Sequence, residues 1–265
     1  MKIARLSASL LVLTLSWVGH VQADSSEWHH VEGGAIRIVT SGSPDTDGQV
    51  RGALEIKLDR GWKTYWRDPG ESGVPPMIAI LAGGKEAPVQ IDYPAPKRFD
   101  DGYSTWAGYD RPVSLGLTFT LPDDVEPSQV EADVFLGVCE TICVPVQARL
   151  TLDPSTNAHA GEDVTTVAAT FAAMPGPARE GFEARLVDVS DAAMRVETKL
   201  PEAVRPLDLF VAGTETLVLG MAELDEASGT FSIAVQDRDE KGGDKHLAYT
   251  LITSAGAVSG TLELP

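Results

Sequence analysis

The stretch Val130-Glu131-Ala132-Asp133-Val134-Phe135-Leu136-Gly137-Val138-Cys139-Glu140-Thr141-Ile142-Cys143-Val144-Pro145-Val146-Gln147-Ala148-Arg149-Leu150-Thr151-Leu152 decides the fold class. Val130, Ala132, Val134, Leu136 and Val138 recur at period two, and Val144, Val146, Ala148, Leu150 and Leu152 repeat the pattern. That period puts one set of side chains on a buried sheet face and the other toward water. The two runs read as neighbouring antiparallel strands. Glu140-Thr141-Ile142 joins them with a cysteine at each end, and paired positions on such strands fall within the reach of a disulfide.

Working toward the N-terminus, Val113, Leu115, Leu117, Phe119 and Leu121 make a further alternating face. Ala35 to Thr40, Arg51 to Leu58 and Gly61 to Trp66 are earlier strand candidates, separated by Gly, Pro, Asp and Ser clusters that mark turns. Residues 67 to 112 are dense in Pro and Gly and read as loops laid over a β-scaffold. Working toward the C-terminus, Val164, Val167, Ala168 and Phe171 fall at i, i+3, i+4 and i+7. Glu162 and Asp163 stand at the favourable end of the dipole and Pro175-Gly176 follows as a stop, so a short helix is expected over 161–173. Beyond it alternation returns at Ala184 and Leu186, Met194 and Val196, Leu207 to Val211, Phe231 to Val235, Leu247 to Leu251, and Leu262 and Leu264. Short strands at such spacing predict an all-β chain of two immunoglobulin-like β-sandwich domains joined by a short helix. The expected division is 24–154, a linker at 155–175, and 176–265.

At the start, Lys2 and Arg5 precede an apolar run from Leu6 to Val18, and Val21-Gln22-Ala23 offers small residues for cleavage. Residues 1–23 read as a signal peptide, which places the mature chain in a bacterial periplasm without stable membrane insertion. Asp and Glu number 39 against 21 Lys and Arg, a net charge of -18, so phosphate-rich partners such as nucleic acid are disfavoured. Dinucleotide, Walker and H-E-x-x-H motifs are missing from the sequence, as is a clear βαβ alternation, which argues against nucleotide chemistry.

Two cysteines cannot make a disulfide framework. On the chain-entropy model a bridge closing about five residues contributes only about 2 kcal/mol, against about 4.7 kcal/mol for a loop of about 100 residues. The pair therefore reads as a local staple, a metal site or a redox site. Glu140, beside Cys139, would raise a thiol pKa, and no cation adjoins either cysteine in sequence. A C-x-x-x-C pair can hold Cu(I) through soft thiolates, with His29, His30, His159, His246 or Met77 as further donors. No other metal site is expected, and no cofactor is needed if the cysteine pair is the redox centre.

Gly61-Trp62-Lys63-Thr64-Tyr65-Trp66-Arg67-Asp68-Pro69-Gly70, Ser72-Gly73-Val74-Pro75-Pro76, Tyr93-Pro94-Ala95-Pro96-Lys97-Arg98-Phe99, Gly108-Tyr109 and Val138 to Pro145 occur in an order and spacing that resemble the N-terminal periplasmic domain of the thiol:disulfide interchange protein DsbD and of ScsB-type suppressors of copper sensitivity. The resemblance covers about residues 30 to 152. It implies an immunoglobulin-like domain that exchanges Cys139 and Cys143 with thioredoxin-fold periplasmic proteins or a membrane electron carrier. Cys143 would form the mixed disulfide and Cys139 would resolve it. It further implies a cap loop in which Phe99 shields the pair and Gly102 supplies the turn, with Asp100 and Asp101 nearby and Trp62 and Tyr65 around the site. The family's full reductases continue into a membrane carrier and a thioredoxin-like domain that this sequence does not contain, so the chain is expected to work as a separate soluble partner or to have been repurposed. Copper binding through the same pair, and a non-catalytic interaction role for the second sandwich, are the competing expectations.

Overall fold

The computed structural model describes residues 25–70, 73–100, 102–122, 125, 130–155, 160–239 and 245–265; the expected signal segment 1–23, Ser72, Asp101 and His159 lie outside them. In chain order the first strands are β1 (His29–Val31), β2 (Gly34–Thr40), β3 (Gln49–Leu58), β4 (Lys63–Tyr65), β5 (Met77–Ala82) and β6 (Lys85–Ala87). There follow β7 (Val89–Asp92), β8 (Lys97–Asp100), β9 (Thr105–Tyr109), β10 (Val113–Thr120), β11 (Val130–Cys139) and β12 (Cys143–Leu152). The helix α1 (Ala160–Ala172) comes next. It is followed by β13 (Gly176–Pro177), β14 (Glu183–Val189), β15 (Ala193–Lys199), β16 (Pro206–Val211), β17 (Leu217–Leu219), β18 (Glu223–Asp225), β19 (Thr230–Arg238), β20 (His246–Thr253) and β21 (Gly256–Glu263).

The first sandwich packs a sheet of order β1-β2-β3-β10-β7 against one of order β6-β5-β11-β4-β9-β8, in which β12 also pairs with β11. Between them lie Ile36, Leu54, Leu115, Leu117, Ile80, Ala132 and Leu136, all fully buried. The second sandwich packs β13-β21-β20-β16 against β14-β15-β19-β17, with β18 beside β19, around Met194, Val196, Phe231, Ile233 and Leu251. The all-β, immunoglobulin-like expectation and the antiparallel pairing of β11 with β12 both hold.

Residues 67–112 depart from the loop expectation, because β5 to β9 all fall there. The short strand β5 alternates exposed and buried residues, burying Ile78, Ile80 and Ala82, and Gly83 and Gly84 at positive φ turn it into β6. Strands of three to six residues show too few alternations to stand out from the Pro and Gly around them.

The helix forms where expected but presents a rotated face. Val167 is buried and Phe171 half-buried, whereas Val164 and Ala168 are exposed, and Asp163 and Thr170 take the buried positions instead. It lies on the outer face of the first sheet against Val39 and Ala53. The Phe171 ring covers Gly116 and stacks beneath the Arg51 guanidinium at 3.8 Å. The helix is thus packed onto the first sandwich as well as connecting the two.

The two sandwiches share packing through the end of β16, where neighbouring residues are buried in different cores. Leu209 points into the second core, while Phe210 and Ala212 enter the first. Phe210 meets Trp66 edge-on at 5.8 Å. The Gly213 N–H donates to Asp68 Oδ2 at 2.6 Å.

Candidate functional site

In β11 the even-numbered residues Val130 to Val138 face the core, so Cys139 belongs to the opposite, outer face of the sheet. The same parity governs its neighbours. Cys139 stands opposite Lys63, Tyr65 opposite Gly108, and Phe99 opposite Trp106, which brings Lys63, Tyr65, Phe99, Trp106 and Cys139 to one outer patch. Tyr65, Trp106 and Cys139 are 5–7% exposed and form a small cluster of their own, with Val74 and Phe99 packed against it. Cys139 is buried by this patch and not by the main core.

Cys139 and Cys143 are opposite one another across the β11/β12 turn and joined by a disulfide. Their surroundings differ: Cys139 is buried while Cys143 is exposed beside Ile142, which is 68% exposed. Tyr65 supplies the polar contact, with its hydroxyl 3.0 Å from Cys139 Sγ and 3.1 Å from Cys143 Sγ. Its ring is fixed by close backbone approach on two sides. A Cβ on Gly137 would come 3.1 Å from the ring, one on Gly73 2.9 Å, and Trp106 meets it edge-on at 5.3 Å.

Phe99 lies flat on Trp106 with ring centroids 4.3 Å apart, half-buried at the rim of the cluster. The strands β8 and β9 form a hairpin whose tip carries Gly102 at φ +83, and Asp100 Oδ1 accepts the Gly102 N–H at 2.7 Å. Asp100 therefore shapes the turn. At that tip Tyr103 is almost fully exposed, beside a cleft of about 440 Å³ against Met221 and Glu223 of the second sandwich.

Trp62 is placed elsewhere. It packs onto the first core over Gly33, whose Cβ would collide with its ring at 2.1 Å. Residues 62 and 65 are an odd number apart, so a period of two cannot carry both to the same face of a strand.

Lys63, Val74 and Trp106 were not singled out from the sequence. Although no cation neighbours the cysteines along the chain, Lys63 is directly across the ladder from Cys139, and its Nζ is 5.5 Å from the Trp106 ring and 5.9 Å from that of Phe99. Glu140 turns its carboxylate toward Gly61. The signal for Trp106 was the turn at Gly102, which pairs 106 with 99 once 97–109 is read as a hairpin.

Among the described residues the candidate copper donors do not gather at the cysteine pair. Met77 lies on β5 opposite Phe135, His29 and His30 are exposed in β1, and His246 pairs with Glu263 at 2.8 Å in the second sandwich. Among the described residues no group of three or more His, Cys, Asp or Glu side chains is arranged to hold a metal ion.

Residues 37–155 match the family model described as thiol:disulfide interchange protein DsbD, N-terminal. No curated protein sequence matches the chain. Among solved structures, the N-terminal periplasmic domain of ScsB from Proteus mirabilis is similar in fold, with a TM-score of 0.72 at 20% identity, over 92% of this chain and 100% of that one. A pair of titin immunoglobulin domains aligns at a TM-score of 0.20 and 13% identity over 87% of this chain and 95% of that chain, too low to inform the fold. The family match ends just past β12, whereas the fold match to the ScsB domain spans both sandwiches.

Proposed function

We propose that this chain works in the periplasm as a thiol–disulfide exchange protein, relaying electrons from a thioredoxin-like or membrane donor to envelope acceptors through Cys139 and Cys143. Residues 24–154 carry the exchange and residues 176–265 support it. Exchange chemistry in general is supported by the match of residues 37–155 and by the disulfide-bonded pair. The observation that carries the proposal is the unequal exposure of the two sulfurs beneath one phenol.

An incoming thiolate reaches only the exposed sulfur. It attacks Cys143 Sγ, the Cys139–Cys143 bond breaks, and Cys139 leaves as a thiolate. The Tyr65 hydroxyl, already 3.0 Å from that sulfur, donates a hydrogen bond to the charge as it forms. The donor's second thiolate then attacks the mixed disulfide at the donor sulfur, which leaves the donor oxidised and the pair here reduced as a dithiol. In the second half, Cys143 thiolate attacks an acceptor disulfide and Cys139 resolves the product, returning the pair to its disulfide and the acceptor to its dithiol. Phe99 on Trp106 caps the cluster around the disulfide between partners and gates the approach to the pair, the line of attack on Cys143 Sγ included, so the disulfide is not spent on small thiols.

The test is trapping in the envelope with acid quenching and identification of what is covalently attached. Cys139→Ser leaves the exposed Cys143 and accumulates mixed disulfides with thioredoxin-fold proteins; Cys143→Ser leaves the buried Cys139 and accumulates few. Equal and negligible adducts for both variants, together with failure of the reduced wild type to reduce any thioredoxin-fold partner, would count decisively against the relay.

A further inference from the structure

We infer that the second sandwich sets the position of the cap over the disulfide by holding Arg98, which makes Arg98 and Asp208 positioning residues for exchange. The inference rests on the exchange function and on the cap role of Phe99 proposed above.

The strand that carries Phe99 is β8, the last strand of its sheet, held by β9 through the four register pairs from Lys97 with Gly108 to Asp100 with Thr105. An edge strand of that length is weakly held by its ladder alone. Successive residues of a strand point to opposite faces, so Arg98 and Phe99 face different neighbours. Phe99 stacks on Trp106 above the disulfide cluster. Arg98 reaches the other way and is received by the second sandwich.

The reception is specific. Arg98 Nε donates to Asp208 Oδ2 at 3.1 Å and Nη2 to Asp208 Oδ1 at 2.5 Å, the two-pronged arrangement that fixes the plane of a guanidinium. Nη2 also donates to the Ala222 carbonyl at 2.9 Å, and the guanidinium stands 5.6 Å from the Phe210 ring. The two side chains retain 28% and 23% exposure, so solvent and salt screen them less than a surface pair. Asp208 is aimed by its own strand. Beyond the register shift between Pro206 and Asp208 the pairing with β20 is regular, so Asp208 shares the side of β16 on which Phe210 meets the first sandwich. The clamp is therefore continuous with the packing of Phe210 on Trp66. Swinging β8 away from the disulfide requires breaking it.

The experiment measures the rate at which dithiothreitol reduces the Cys139–Cys143 disulfide in the full chain, for Asp208→Asn, Arg98→Lys, Phe99→Ala and the doubles of the first two with Phe99→Ala. Asp208→Asn keeps size and one acceptor, and Arg98→Lys keeps the charge and loses the fork. If either compromises folding, judged by near-ultraviolet circular dichroism, the other is read. The expected result is a rise of about three- to ten-fold for each clamp variant, the shift in closed population that losing a partly buried charged pair produces. In the Phe99→Ala background the same substitutions add nothing, because the clamp acts only through the cap. Unchanged rates in the clamp variants, with Phe99→Ala faster than wild type, overturn the inference and leave the cap standing. A full increase in the Phe99→Ala background also overturns it. If Phe99→Ala is itself no faster, the cap role fails and this positioning role fails with it.

Discussion

The Tyr65 hydroxyl lies 3.0 Å from Cys139 Sγ and 3.1 Å from Cys143 Sγ, so a single phenol serves both sulfurs of the bridge. A neutral disulfide sulfur accepts a hydrogen bond weakly, and a thiolate accepts one strongly, so the contact gains most as the bridge opens. Tyr65→Phe keeps the ring between Gly73, Gly137 and Trp106 and removes only that donor. The expected outcome is a fall of about ten-fold in the rate of reduction by a thiol, about 1.4 kcal/mol for a bond to a charged group, with the reduction potential moved to a more negative value. Stopped-flow reduction and equilibration against glutathione measure the two. An unchanged rate would remove Tyr65 from the chemistry.

Lys63 stands across the ladder from Cys139, with its ammonium among the rings of Trp106 and Phe99. A cation in that place favours a thiolate over a thiol in the reduced protein. For Lys63→Met the pH at which iodoacetamide alkylation reaches half its plateau rises by roughly half to one unit. In either protein Cys143 is alkylated before Cys139, because only Cys143 is exposed. Peptide mapping over a time course reads both, and faster modification of Cys139 would contradict the division of roles.

The long alternating runs were legible in the sequence because one face of each is buried along its whole length: β11 and β12 pair from Val130 with Leu152 to Cys139 with Cys143 as their patterns require. The site was legible only in part. Cys139, Cys143, Tyr65 and Phe99 come together, but the patch that joins them lies on the outer face of the sheet and draws on β4, β8, β9 and β11. Trp106 joins through a hairpin whose only local sign is the turn at Gly102, and Lys63 joins through the register of β4 with the distant β11, which has no trace in local sequence. Trp62 was drawn in by the family resemblance, whereas its ring packs over Gly33 and onto the first core. Phe210 was hidden for a different reason: the alternation of Leu207, Leu209 and Val211 assigns the intervening residues to a solvent face, whereas the first sandwich covers Phe210.

That shared strand end predicts coupled unfolding. Phe210 is 2% exposed and belongs to the first core although its strand belongs to the second sandwich. Phe210→Ala removes the ring that meets Trp66 edge-on, at a cost of about 3 to 5 kcal/mol. Because the loss falls on the contact between the sandwiches, denaturant unfolding of the variant separates into two steps where the wild type shows closer coupling. Tryptophan fluorescence, which reports chiefly on the first sandwich, and far-ultraviolet circular dichroism, which reports on both, would then give different midpoints. Coincident curves for the variant would argue that the contact does not couple the two.

The entry to the cap strand predicts an alkaline weakness. Tyr93 is pushed up to about 12 by burial, partly offset by the Arg67 guanidinium, 4.7 Å from its ring. Tyr109 is raised as well, by burial first and then by Tyr93. Both donate to prolyl carbonyls around the segment that leads into β8, Tyr93 to Pro76 at 3.3 Å and Tyr109 to Pro94 at 2.8 Å. A folded value above the unfolded 10.0 means that the native chain keeps protons which the unfolded chain releases. Stability is therefore full below pH 10 and declines as the pH rises toward the folded value near 12, by roughly 2 to 3 kcal/mol from Tyr93 alone. Tyr93→Phe keeps the ring and deletes that proton, so its urea midpoint falls less steeply than the wild type's between pH 10 and 12, and a late component disappears from the phenolate titration at the ultraviolet edge. A wild-type slope in the variant would mean that the alkaline loss comes from another group.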